Sequence, residues 1–201
     1  MTYLKNNSYE IVKLYINQFG VTIFSLFLYT AVGMVEDPGI FFGLKVAVSI
    51  IATLFYMFLT YNVLWEIGAK DKIRIDSGRY EPTPFKGTIL SLFANVPNFI
   101  LSILCIVFAS LMIGGVDWAQ SAFSIFFIII RFHTAMYMGM IQGEVPAGGA
   151  GPLDMTDCLV ESILFFVIPL VSVAFAHFSY WMGTKEYKIF GFLSNKEDTK
   201  Q

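Results

Sequence analysis

The chain has 201 residues, 56% hydrophobic, 17% aromatic and only 14% charged, with a mean hydropathy of +0.66. A soluble domain carries about 25% charged residues, so this composition cannot cover a globule with polar surface and excludes most soluble classes. Thirteen Lys and Arg against fifteen Asp and Glu leave a formal charge of -2, which gives no attraction for nucleic acid and no disordered acidic tail.

A bilayer core about 30 Å thick is crossed by about 20 apolar residues in helical form. Leu14 to Val35 meets that length without an Asp, Glu, Lys or Arg. The segment before it holds Asn6, Asn7 and Ser8, and no small-residue cleavage site follows the apolar run. This first span is therefore expected to be kept as an anchor. The connection Glu36-Asp37-Pro38-Gly39 leaves room only for a tight turn, so the first two spans are expected to be antiparallel neighbours.

Val46 to Trp65 is the second charge-free run, and Trp65 to Gly87 follows as a polar segment. Lys70, Lys72 and Arg74 alternate there with Ala69, Asp71, Ile73 and Ile75. That period of two predicts an extended or interfacial piece. It would lie within a cytoplasmic loop that touches anionic headgroups or docks a cytoplasmic partner. Gly87 to Val116 is the third run. Trp118 to Ile141 is long enough to be another, but Arg131 interrupts it and His133 follows two residues later. Gln142 to Asp157 is rich in Gly and Pro and lacks the Lys-Ser/Thr pair of a phosphate-binding loop, so a flexible outer loop is expected. Ser162 to Thr184 is the last charge-free run, and residues 184–201 are expected to lie as a tail on the inner membrane surface.

The cations separate the loops into two groups. Lys5 and Lys13 precede the first span, Lys70 to Lys86 lie between the second and third, and Lys185 to Lys200 follow the last, while Glu36, Asp37, Asp117, Glu144, Asp154 and Asp157 occupy the other connections. Lys and Arg near span ends favour the cytoplasm, so both termini and the middle loop are expected inside, which requires an even number of crossings. Either residues 118–141 form a re-entrant or broken segment, or a further crossing makes six; a plain five-span chain would put the tail outside, against the charge bias. The fold class predicted is an all-α, polytopic integral membrane bundle, one transmembrane domain over residues 1–201, multi-pass in the plasma membrane.

Polar residues within the spans fall on helical stripes. Gln18, Thr22, Ser25, Tyr29 and Gly33 form the first, Lys45, Ser49, Thr53, Tyr56 and Thr60 the second, and Ser91, Asn95, Asn98 and Ser102 the third. Asn95 and Asn98 flank Pro97, which removes a backbone N–H mid-span, so a kink carrying two amides is a candidate ligand or ion site as well as a structural joint. Pro169 is expected to add a second kink. A cation at the centre of a span costs about 2.5–3.5 kcal/mol to insert, so Arg131 needs an acidic partner, expected between Glu144 and Glu161. The candidate substrate or ion path is Asn95, Asn98, Arg131, His133 and Glu161.

On a continuous helix Arg131 and His133 point about 200° apart, so they would share a site only if the helix breaks between them. Cys105 and Cys158 have no CxxC spacing and are expected as buried thiols, and no pattern implies a metal or other cofactor. The sequence points to a small transporter, a channel or the membrane subunit of a larger complex. A membrane-embedded enzyme acting on a lipid-linked substrate and a structural assembly partner are the alternatives. The expected partners are the lipid bilayer and either further copies of the chain or another membrane protein.

Overall fold

A computed structural model describes residues 5, 7–79, 81–141 and 155–187, and among them every regular element is helical. Helix α1 is Ser8–Val32. Helix α2, Pro38–Asp76, starts where Pro38 supplies a preset φ and the Asp37 carboxylate accepts the Ile40 N–H at 2.9 Å. Its 39 residues make a rod of about 58 Å, roughly twice the thickness of a bilayer core.

Residues 70–75, expected to be extended, therefore belong to the end of α2. Leu64, Gly68 and Asp71 are buried at spacings of four and three, and the ion pairs Glu66–Lys70 (2.6 Å) and Lys72–Asp76 (2.8 Å) bridge successive turns on the exposed side. These i,i+4 pairs favour helix, and the apparent period of two arises from interleaving one buried stripe with exposed charges. The polar connection shrinks to residues 77–85.

The third predicted span comes in two pieces, α3 (Lys86–Ala94) and α4 (Val96–Ile113), joined at Asn95. Helix α5 is Asp117–His133, followed by a 3₁₀ turn at Ala135–Tyr137 and the short α6, Met138–Ile141. The axis turns by 82° at this junction. Helix α7, Met155–Thr184, carries Pro169 inside it. Helices α1, α2, α4 and α7 are each long and apolar enough to cross a membrane. Large side chains such as Phe27, Ile51, Leu54 and Ile128 face outward from the bundle, as lipid-facing residues do.

Contacts between the rods fix their directions. Tyr29 near the end of α1 meets Ser49 near the start of α2. Lys86 at the start of α3 meets Asp71 near the end of α2. Thr88 meets His177, and Phe99 meets Phe166. Advancing eleven residues along α3 and α4 thus retreats eleven along α7. Each crossing is antiparallel to the one before it, and α4 ends where α7 begins. Residues 114–141 therefore begin at the end of the bundle where α7 also starts. The beginning of α1 and the end of α7 lie at one end of the bundle, and the described residues hold four helices that could cross a membrane, or five spans if the bent pair counts as one. The even count expected from the loop cations follows where the bent pair is a re-entrant segment rather than a fifth span.

Leu14, Leu64, Leu90, Ala176 and Tyr180 form a core cluster at the Lys-rich end, and a larger cluster around Phe123, Phe127, Met136, Tyr137 and Phe165 fills the other half. Cys105 and Cys158 are free, buried thiols of this second cluster. Helices α2 and α7 share the most extensive contact. A Cβ on Gly68 would lie 2.4 Å from the Tyr180 carbonyl oxygen, and one on Gly183 would lie 2.3 Å from that of Trp65. Small residues at such crossings let backbones touch, which drives helix association in lipid.

Candidate functional site

Three polar groups punctuate the apolar interior at different depths. The deepest ion pair at the Lys-rich end joins Lys86 Nζ to Asp71 Oδ2 at 2.7 Å, with both residues almost wholly buried. The Tyr180 hydroxyl donates to the same carboxylate at 3.1 Å. This cluster ties the start of α3 to α2 and α7. A cavity of about 270 Å³ opens beside it, lined by residues including Glu10, Lys13, Glu66, Lys70 and Arg74.

At mid-depth the joint between α3 and α4 carries the two asparagines. Asn95 Nδ2 donates to the Ser91 carbonyl (2.9 Å), Asn98 Nδ2 donates to Asn95 Oδ1 (2.8 Å), and Ser102 Oγ donates to the Asn98 carbonyl (2.8 Å). Both asparagines face the bundle interior, as expected, and a single hydrogen bond joins their side chains. Asn98 Oδ1 and both side-chain polar atoms of the buried Gln18 have no hydrogen-bond partner among the described residues. Tyr56 faces Asn95 from α2. Tyr137, from the turn after α5, shares a hydrogen bond with Ser172 at 2.9 Å. In hydrocarbon each unpaired amide atom would cost several kcal/mol, so these groups mark the place where the bundle tolerates polarity. Asn98→Leu is expected to lower stability by about 0.6–1.7 kcal/mol, the range of one interhelical polar contact in a membrane bundle. Unchanged thermal unfolding in detergent would show that the Asn98–Asn95 bond holds nothing.

The third group lies toward the end where α2 and α7 begin. Arg131 Nη2 donates to Glu161 Oε2 at 2.9 Å, and its guanidinium covers the Phe127 ring at 4.2 Å. The acidic partner expected for Arg131 is thus Glu161. Lys45 on α2 interacts electrostatically with both members of this pair, and its ammonium lies 5.9 Å from the centre of the Phe41 ring. Lys45 is only 6% exposed. The backbone beside it is clamped: the Gly139 N–H donates to Ser49 Oγ (2.6 Å) and to the Tyr29 hydroxyl (3.0 Å), and Tyr29 and Ser49 are hydrogen-bonded to each other. The return of the chain after α5 thereby rests on α2 directly against Lys45.

The path of that segment follows from its partners. The His133 carbonyl accepts from Thr22 Oγ1 at 3.1 Å, ten residues and about 15 Å from the end of α1 at Val32. Gly139 meets Tyr29, about 10 Å back toward the end from which α5 came. Residues 117–141 therefore dip to mid-depth, turn and rise again. At the turn Thr134 N–H donates to Ile130 O (2.8 Å) and Tyr137 N–H to Thr134 O (2.9 Å), so the bent backbone is satisfied within protein.

The five residues expected to line a path separate into distinct places. Arg131 and Glu161 are paired, and Asn95 and Asn98 are paired at the joint. His133 stands apart, because α5 stays helical through residue 133 and breaks only at Thr134. Its ring lies against Tyr15 and Phe19 of α1, at 5.7 and 6.4 Å between centroids. Lys45, Gln18, Tyr29, Ser49 and Gly139 were not among the expected site residues. The signal for Lys45 was its place four residues before Ser49 on the polar stripe of the second span. Among the described residues no group of three metal-ligating side chains gathers. The outer loop over residues 142–154 and the tail over 188–201 lie outside the described residues.

Glu161→Gln is expected to destabilise the bundle more than Arg131→Gln. The first leaves two cations facing each other, and the second leaves one carboxylate beside Lys45. A pair whose side chains are 30% and 19% exposed should cost less than the about 3–5 kcal/mol of a fully buried pair. A thermal-unfolding cycle with both single variants and the double variant reads this order, and equal, additive losses would contradict it.

Compared with known protein families, curated proteins and solved structures, the chain matches none.

Proposed function

We propose that this chain is a small multi-pass transporter or channel of the plasma membrane, with its Lys-rich end in the cytoplasm. The observation that carries the reading is that residues 117–141 enter the bundle and return to their own side, turning at the depth of the broken third span and its buried amides. Non-helical backbone at membrane depth is tolerated where it is buried in protein or lines a water-filled cavity. Discontinuous helices meeting near the midplane are a recurrent way of building a substrate site. The cytoplasmic placement follows the clustering of Lys and Arg at the end that gathers the start of α1, residues 77–85 and the end of α7.

The test is osmotic swelling of liposomes containing the purified chain, with a panel of small neutral, cationic and anionic solutes. The reading expects at least one solute to enter faster than into protein-free liposomes, with a rate that grows with protein content. Swelling identical to that of empty liposomes across the panel would overturn it.

A further inference from the structure

We infer that the group formed by Lys45, Arg131 and Glu161 is a binding site for a single small oxyanion, a phosphate or a group like it. This names the substrate class of the transport reading and rests on that reading. Two cations share one carboxylate here, so among the described residues the cluster carries a surplus positive charge inside an apolar bundle. A buried cation needs an anionic or hydrogen-bonding partner. Glu161 is engaged by Arg131 Nη2, and Lys45 has the face of the Phe41 ring on one side.

A second observation points to a ligand at the same place. Arg131 Nε is buried and has no hydrogen-bond partner among the described residues. The cluster thus offers an ammonium and an unused guanidinium N–H. A guanidinium presents its donors in a fixed plane that matches two oxygens of a phosphate or carboxylate, while an ammonium supplies a compact charge for a third. Glu161 occupies one edge of the guanidinium and holds its plane in place. The clamp of Gly139 on Ser49 and Tyr29 fixes the Lys45 backbone against the re-entrant segment, so the two cations are presented by elements that are locked to each other. Preorganised donors of this kind bind an anion without the cost of ordering them.

The same chemistry is carried by free phosphate and by a lipid phosphate headgroup, and the experiment separates them. Purified full-length protein in a neutral detergent is titrated with ³²P-orthophosphate in one arm and with a single-chain lipid phosphate in the other. The inference expects saturable binding of at least one probe at one site per chain. Lys45→Gln should weaken it by about tenfold, equal to about 1.4 kcal/mol. The double variant Arg131→Gln/Glu161→Gln, which removes the pair without leaving a lone charge, should weaken it at least as much. Glu144→Gln and Asp154→Asn should bind like the parent; a surplus charge met by either carboxylate would instead leave the parent without binding and let the variant bind. Monodisperse elution and a retained melting transition certify that each variant is folded.

Orthophosphate binding identifies a soluble anion, and binding of the lipid probe alone identifies a headgroup. Absence of saturable binding for both probes, or undiminished binding in Lys45→Gln, overturns the inference. Binding without solute flux in liposomes would leave the anion site standing and sink the transport reading, whereas flux without binding would do the reverse.

Discussion

Gly139→Ala is expected to destabilise the bundle by about 3 kcal/mol, the upper end of what overpacking usually costs. A Cβ at this position would lie 2.1 Å from the Lys45 carbonyl oxygen and 2.7 Å from Ser49 Oγ. The first of these atoms is backbone within a long helix, so no side-chain rotation relieves the contact, and α6 must lift from α2. Lifting it also breaks the two hydrogen bonds from the Gly139 N–H and exposes a polar group to hydrocarbon. Gly43 on α2 is the control, since a Cβ there meets nothing within 4 Å, and Gly43→Ala should be neutral or slightly stabilising because alanine favours helix. The measurement is thermal unfolding of both variants in mild detergent. If Gly139→Ala melts with the parent, the returning segment does not rest on α2.

Asp71→Asn is expected to cost about 3–5 kcal/mol, because it removes the carboxylate from a buried pair and leaves the Lys86 charge in place. Asp71 and Lys86 are 1% and 5% exposed, and the Tyr180 hydroxyl is left to donate to a neutral amide instead of a carboxylate. Charge, not shape, sets this effect, since Asn and Asp are nearly isosteric. Asp71→Asn/Lys86→Met should therefore recover much of the loss, and Tyr180→Phe alone should cost about 1 kcal/mol. A double variant no more stable than Asp71→Asn would mean that the two residues do not act as a pair. Partial proteolysis between residues 77 and 85 offers a second readout, because the pair closes that connection onto the bundle.

The contrast between these residues shows which parts of the structure the amino-acid order exposes. The four long apolar helices were legible because a bilayer demands long charge-free runs, and such runs are rare by chance. The buried stripes were legible for the same reason: Gln18, Ser49, Asn95 and Asn98 stand out against apolar neighbours and repeat at helical spacing. Arg131 announced its own need for a carboxylate. The Asp71–Lys86 pair was hidden because its two charges sit among seven others between Glu66 and Lys86, and nothing local distinguishes a buried charge from a solvated one. Lys45 headed the polar stripe of the second span but lay just outside the charge-free run that begins at Val46, so it was not counted with the site. Gly139 has no side chain and hence no chemical signal; its role exists only through what it allows Lys45 and Ser49 to approach. The separation of Arg131 from His133 depended on where α5 breaks, one residue after the histidine, at a turn whose residues Ala135–Tyr137 are buried in the core.

The central claim is that residues 117–141 return to the side from which they came, so that four crossings would place the start of α1 and the end of α7 on one face. Cysteine accessibility reads it directly. In a background with Cys105 and Cys158 replaced by serine, single cysteines are placed at Glu36, Ser77, Asp117, Asp157 and Lys185 and challenged with a membrane-impermeant thiol reagent in intact cells. The account predicts labelling at 36, 117 and 157, and labelling at 77 and 185 only after permeabilisation. Labelling at 185 together with 36, with 157 protected while 117 reacts, would mean that the bent segment crosses the membrane and would contradict it.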